Sequence, residues 1–225
     1  ISVLEGNYNL ISSLENPSYF NITPSSVSVT FPDDSSPFIQ NFCITPNGNH
    51  PDLEISILPL TPARPGFDTK YKLFYKNKGN QLQSGSFSLT FNDNVLDLVS
   101  SVPLQNTISG NMLSWNFTDL SPMESREVMV VFNANTPTES PALNANDVIS
   151  FTANITSALV DEIPIDNIFN LNQTVVNSYD PNDKTCLQGK TVSSEVIGEY
   201  VHYLIRFENT GSYNAQNITV TDYID

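Results

Sequence analysis

Three oxygen-bearing side chains crowd one short stretch of this chain. Asp180, Asn182 and Asp183 lie within Ser178-Tyr179-Asp180-Pro181-Asn182-Asp183-Lys184-Thr185-Cys186. Oxygens at that density suit a hard cation. Ca²⁺ takes six to eight of them, so other groups must converge on the site. Asp161, Glu162, Asp166, Asp222 and Asp225 are the candidates to complete the set. The competing account is local. Asx side chains flanking a proline accept hydrogen bonds from nearby backbone N–H groups and cap turns. On so short a motif, capping outweighs calcium, and calcium is the one cofactor the sequence suggests.

Other chemistry finds less to work with. The chain has two histidines. His50 falls in a turn-rich linker and His202 on the polar side of a strand, so both are expected to be exposed. No Gly-x-Ser-x-Gly, His-Glu-x-x-His or phosphate loop is present. No residue is therefore assigned to catalysis or to an organic cofactor, and the expectation is a protein that is not an enzyme. A Lys–Asn isopeptide cross-link, as in Gram-positive adhesins, would draw on Lys70 or Lys72 and Asn170 or Asn172. Alternation turns all four outward, whereas that reaction needs a buried trio. A sugar platform needs exposed aromatics in a row. Tyr200 and Tyr213 are the outward candidates, and they are not adjacent.

Charge narrows the partners. The net charge is −15, with 9 Lys+Arg against 24 Asp+Glu. Phosphate binding is mostly cationic neutralisation, so nucleic acid is excluded as a partner. An anionic membrane would be repelled as well. No apolar run approaches the ~20 residues of a spanning helix, and no membrane insertion is expected. No signal-peptide pattern is found. The chain begins at Ile1, and is expected to be a piece of a longer protein. Sequons at Asn21, Asn116, Asn154, Asn172 and Asn217 are accounted for by chance in so Asn- and Thr-rich a chain.

The elements that would position these groups are strands. Fifteen prolines and nine glycines punctuate short runs of alternating polarity. Residues 1–45 read as the C-terminal part of a β repeat, with Val27, Val29 and Phe31 on one face of a strand. Residues 46–52 read as a linker, all turn chemistry with nothing to bury. Residues 53–178 hold about seven period-2 runs, among them Thr69, Tyr71, Leu73 and Tyr75 on one face, and Leu113, Trp115 and Phe117 on another. Period-2 alternation buries one face of each strand, and two such sheets face each other in an immunoglobulin-like sandwich. Trp115 is expected to anchor the core. The pattern then restarts at residues 179–225. Asn209-Thr210-Gly211 repeats Asn77-Lys78-Gly79 at an offset of 132 residues (Asn77 to Asn209). The second sandwich is incomplete, and more chain or a partner is expected to cover its apolar face. The fold class is all-β, with tandem immunoglobulin-like antiparallel sandwiches. Cys43 and Cys186 flank the first sandwich at opposite ends, too far apart for a disulfide between them, and each is expected to pair outside this piece if at all.

The junction, the strand Gly198-Glu199-Tyr200-Val201-His202-Tyr203-Leu204-Ile205-Arg206-Phe207-Glu208-Asn209-Thr210-Gly211 and the ending Ala215-Gln216-Asn217-Ile218-Thr219-Val220-Thr221-Asp222 resemble the repetitive C-terminal regions of large secreted proteins of Bacteroidetes, especially flavobacteria. Residues 1–45 resemble the tail of a B-type surface repeat. The Asp-x-Asn-Asp run is similar to the calcium linker of cadherins. The resemblance implies an extracellular or cell-surface protein exported by the type IX system, and it implies no activity. The expected function is a non-catalytic structural or adhesive stalk module, partnered by neighbouring domains of the same longer chain and by a protein or glycan ligand. The alternative is a carbohydrate-binding accessory sandwich of a secreted degradative enzyme.

Overall fold

The computed structural model describes residues 2–177, 183–189, 191, 198–209, 211–216 and 218–220. An N-terminal unit comes first, with β1 (Gly6–Leu10), a single 3-10 turn (Pro17–Tyr19), β2 (Phe20–Thr23), β3 (Val27–Phe31) and β4 (Cys43–Pro46). These strands pair antiparallel as β1 with β3 and β2 with β4. Val29 is buried within β3, as the alternation requires.

The central unit runs through β5 (Leu53–Pro59), β6 (Asp68–Asn77), β7 (Gln83–Thr90), β8 (Leu96–Val102), β9 (Thr107–Ser109), β10 (Met112–Leu120), β11 (Ser125–Ala134), β12 (Val148–Ser157) and β13 (Ile168–Thr174). The strands form two sheets, ordered β13-β12-β7-β10-β9 and β5-β6-β11-β8. Neighbouring strands within each sheet pair antiparallel. This is the immunoglobulin-like sandwich expected of the alternation. It has nine strands where the sequence pattern predicts seven. The two additions carry no clean period: β8 exposes Val99 and Val102 at a sheet edge, and β9 is three exposed residues.

Sidedness explains the core. Along β6, Thr69, Tyr71, Leu73, Tyr75 and Asn77 are buried, while the residues between them are exposed or half-buried. Tyr71, Phe132 and Phe151 meet between the sheets, with Tyr71 and Phe151 centroids 4.4 Å apart. Trp115 is buried, stacks on Phe87 at 5.2 Å and donates its indole N–H to the Pro103 carbonyl at 3.1 Å. It is the core anchor expected.

A third unit begins with β14 (Asp183–Cys186) paired to β15 (Tyr203–Arg206). It meets the sandwich at the far end of β5. There Tyr213 N–H donates to the carbonyl of Asn177, next to Val176, whose own N–H is bonded within the sandwich to the Ala63 carbonyl. Arg64 donates to Gln216 at 3.0 Å and lies 5.0 Å from the Tyr213 ring centroid. Tyr213 is therefore half-buried and not an outward platform; its ring is taken up by the arginine. Cys43 and Cys186 are both free thiols. Among the described residues, no helix is long and apolar enough to cross a membrane.

Candidate functional site

The linker before β5 is not the bare tether that its turn chemistry suggests. It is gripped by the β6–β7 turn. Asn77 falls on the buried side of β6 by simple alternation, so a polar side chain is carried inward and must find partners. It donates to the carbonyls of Gln81 at 2.7 Å and Leu120 at 2.8 Å, and accepts from Gly79 N–H at 3.1 Å. That geometry aims the next backbone groups at the linker. Lys78 and Gly79 N–H both donate to the Asp52 carbonyl, at 2.8 and 3.0 Å, and Asn80 N–H donates to that of His50 at 2.9 Å. The Asn80 side chain accepts from His50 N–H at 2.8 Å and donates to the Tyr19 carbonyl at 2.7 Å. Only glycine permits this approach: a Cβ on Gly79 would stand 2.2 Å from the His50 carbonyl oxygen.

The same turn recurs in the third unit. Gly211 N–H donates to the Asn209 side chain at 3.0 Å, and Asn209 donates to the Tyr213 carbonyl at 2.6 Å. The pair reproduces the bonds of Asn77 to Gly79 and Gln81, at the offset read from sequence. The repeat is thus a repeated backbone device.

Held this way, Asp52 is fully buried. The loop between β12 and β13 closes over it. Asp161 accepts Leu53 N–H with one oxygen and Ile163 N–H with the other, both at 2.9 Å. Glu162 N–H donates to the Pro51 carbonyl at 2.8 Å, and Ile55 N–H to that of Asp166 at 3.1 Å. One carboxylate oxygen from each of Asp52, Asp161 and Asp166 then lies within 4.8 Å of the others. Lys78 Nζ is 2.8 Å from Asp166 Oδ2. Asn16 Nδ2 of the N-terminal unit donates to Asp52 Oδ2 at 3.1 Å. Asp52 Oδ1, Asp166 Oδ1 and Asn167 Oδ1 are buried without a partner.

Charge in this volume is unbalanced. Burial pushes the Asp52 carboxyl up to about 6, and the Asp166 charge adds to it, against the pull of Lys78. Burial alone would lower the Lys78 ammonium. Its hydrogen bond to Asp166 and the surrounding carboxylate charges outweigh that and hold it above its ordinary value. The Tyr19 phenol is raised by burial and then by the charges of Asp52 and Glu162. The Tyr19 ring stacks on His50 at 4.5 Å, and His50 Nδ1 lies 3.0 Å from Glu162. His50 is half-buried between those two, where the sequence predicts exposure.

The residues singled out in the sequence are thus divided. Asp161 and Asp166 do converge with another acid, but on Asp52 at the N-terminal joint. Asp180, Asn182, Asp222 and Asp225 lie outside the described residues. Asp183 is the first residue of β14, its backbone opposite Arg206. Glu162 pairs with His50. Exposed His202 lies by Gln188, its Nδ1 2.9 Å from the amide nitrogen. Asn170 and Asn172 are exposed and accept from Thr152 and Ser150, and Lys72 pairs with Glu127 at 2.8 Å, all facing away from the core. Sequence reasoning missed Asp52. The available signal was Asn77, the next inward position after Tyr75, since a buried amide at a strand end needs a partner chain nearby.

Residues 180–225 match the family model of a domain of unknown function, DUF7619. A search of curated proteins finds no match. Among solved structures, the chain is similar to a CARDB domain from Pyrococcus furiosus in complex with di-metal ions, at 16% identity over 56% of this chain and 90% of that one, with a TM-score of 0.41. It is similar to a cohesin module of a Clostridium perfringens family 33 glycoside hydrolase at 9% identity, over 58% and 99%, with a TM-score of 0.38. A conjugative transposon lipoprotein from Bacteroides eggerthii matches at 6% identity, over 55% and 95%, with a TM-score of 0.33. With TM-scores below 0.5, these resemblances assign no residue a role.

Proposed function

We propose that this chain is a non-catalytic stalk module of an extracellular or cell-surface multidomain protein, in which consecutive β units lock end to end. The observation that carries the reading is the grip of Lys78, Gly79 and Asn80 on the His50–Asp52 linker. A free tether would leave those backbone groups to water. Here they are bonded to the linker, the Asn80 side chain reaches on to Tyr19 of the N-terminal unit, and the Asn-x-Gly turn is repeated at Asn209 within the third unit. Secretion by the type IX route and a Bacteroidetes source are the setting implied by the junction motif and the strand after it. Calcium at Asp180, Asn182 and Asp183 remains part of that same reading of the C-terminal junction.

A carbohydrate-binding role finds less support. It would rest on Tyr200, 89% exposed, because Tyr213 is committed to Arg64. Small-angle scattering of the whole chain tests the stalk reading. A locked N-terminal joint gives one narrow distribution of dimensions, which Asn80→Ala broadens. A wild-type chain already as broad as the variant refutes it. A glycan array checks the other reading, with binding lost in Tyr200→Ala as its signature.

A further inference from the structure

We propose that Asp52, Asp161 and Asp166 form a binding site for a divalent, oxygen-preferring cation, with calcium as the fitting ion, at the joint between the N-terminal unit and the sandwich. Four observations converge on it. The donors are all carboxylates, the chemistry of a hard ion. Their nearest oxygens lie within 4.8 Å of one another, no farther than two oxygens on opposite sides of an ion ~2.4 Å from each. Asp52 is 0% exposed, yet its Oδ1 has no partner, and the buried Oδ1 of Asp166 has none either. A buried polar atom of a native fold is nearly always bonded, so two orphans of the same charge in one group point to a missing partner of opposite charge. Finally, three carboxylates face one ammonium, that of Lys78. Lys78 is shared further with Glu15 at 3.8 Å and Glu54 at 3.9 Å, so the group is left with an excess of negative charge that a divalent cation would offset.

The local alternatives are weaker. Turn capping explains Asp161, whose two oxygens accept backbone N–H groups and keep lone pairs to spare. It explains nothing about Asp52, which caps no turn. Lys78 is already bonded to the other oxygen of Asp166. Water and the free lone pairs of Asp161 would complete the shell, since three residues supply fewer than the six to eight oxygens calcium takes.

The consequence for the joint rests on the stalk reading above. Asn16 of the N-terminal unit bonds the second oxygen of Asp52. A cation held by the first oxygen of Asp52 would fix the carboxylate whose second oxygen accepts from Asn16. Binding and docking are then coupled.

Calorimetric titration of the metal-stripped whole chain with Ca²⁺ tests the site, with Mg²⁺ and Zn²⁺ as separate arms. Terbium luminescence, sensitised by the neighbouring Tyr19, is an independent readout. The expected result is one site, preferring Ca²⁺, weakened at least tenfold in Asp52→Asn and in Asp166→Asn but unchanged in Asp183→Asn. The near-ultraviolet dichroism of Trp115 confirms that each variant is folded. No heat and no luminescence at millimolar calcium would overturn the proposal, as would binding lost only in Asp183→Asn. Calcium binding at Asp52 that leaves the scattering unchanged would keep the site and overturn its part in stiffening the stalk.

Discussion

Replacing Gly79 with alanine is the most direct challenge to the joint. The new Cβ would lie 2.2 Å from the His50 carbonyl oxygen, 2.6 Å from Asp52 N and 3.2 Å from the Pro51 carbonyl carbon. All three are backbone atoms, so no rotamer change relieves the clash. The linker must retreat by roughly 1 Å to reach ordinary contact, further than a hydrogen bond tolerates. Three bonds are then lost or badly stretched: Lys78 and Gly79 N–H to the Asp52 carbonyl, and Asn80 N–H to that of His50. At about 1 kcal/mol each, with more where a buried group is left unpaired, the cost is roughly 2–4 kcal/mol. For a protein of this size that lowers Tm by about 5–15 °C. Differential scanning calorimetry measures the shift, and amide exchange locates it, with protection lost first at Gly79, Asn80 and Leu53. Gly110→Ala is the control. Its Cβ meets nothing within 4 Å, but its φ of 54° strains any side chain, so it costs only ~1–2 kcal/mol. If Gly79→Ala melts within a degree of wild type, or no worse than Gly110→Ala with exchange unaltered, the linker is not held as described.

Other substitutions probe separate features. In chelator, the raised Asp52 carboxyl makes the native state hold a proton between about pH 4 and 6 that the unfolded chain has released. Stability therefore falls as pH rises through that window, by at most about 3 kcal/mol, and Asp52→Asn removes the fall. Matched pH–denaturation series measure the difference, and parallel curves for the two proteins would contradict it. Gly85→Ala puts a Cβ 2.0 Å from the Thr156 carbonyl oxygen, so β7 and β12 must part, and soluble yield is expected to drop sharply. Phe132→Ala empties a fully buried site between Tyr71 and Phe91, at about 3–5 kcal/mol by chemical denaturation. Thiol titration of the purified chain should find both cysteines free, with the exposed Cys43 reacting faster than Cys186.

What could be read from residues alone was local and periodic. The inward stripe of β6, the core role of Trp115 and the restart after the first sandwich all follow from period-2 alternation, which needs no knowledge of the partner strand. β8 escaped because its pairing with β11 slips between Val131 and Phe132, which breaks the alternation, and β9 because it is only three exposed residues. The joint escaped for another reason. Its bonds connect Asn80 to Tyr19, Asp52 to Asn16 and Leu53 to Asp161, and nothing in one segment announces the others. Asp161 and Asp166 were legible as candidate ligands, though for the Asp180 junction. Asp52 was not, because an acid between a proline and a strand is ordinarily exposed, and its burial is imposed by the Asn77 turn.

The two ends of β5 suggest why such joints are polar. At one end, the sandwich receives the N-terminal unit through carbonyls, amides and the Asp52 carboxylate. At the other, Arg64 is 6% exposed, lies over Phe67, and meets Tyr213 and Gln216 of the third unit, with its Nε unpartnered. Polar bonds run through both joints. Buried polar groups add little net stability, because desolvation offsets most of what they gain, but a wrong arrangement leaves them unpaired and is penalised heavily. A joint of this kind therefore fixes the angle between units more than it strengthens their attachment. It also makes that angle conditional. An apolar joint would be indifferent to ions and acid, whereas one that gathers the buried Asp52 with the half-buried Asp161 and Asp166 beside Lys78 is expected to respond to both. If the chain is the stalk proposed above, its dimensions should change between chelator, millimolar calcium and pH 5, and dimensions that stay the same would show that the polarity of the Asp52 joint has some other cause.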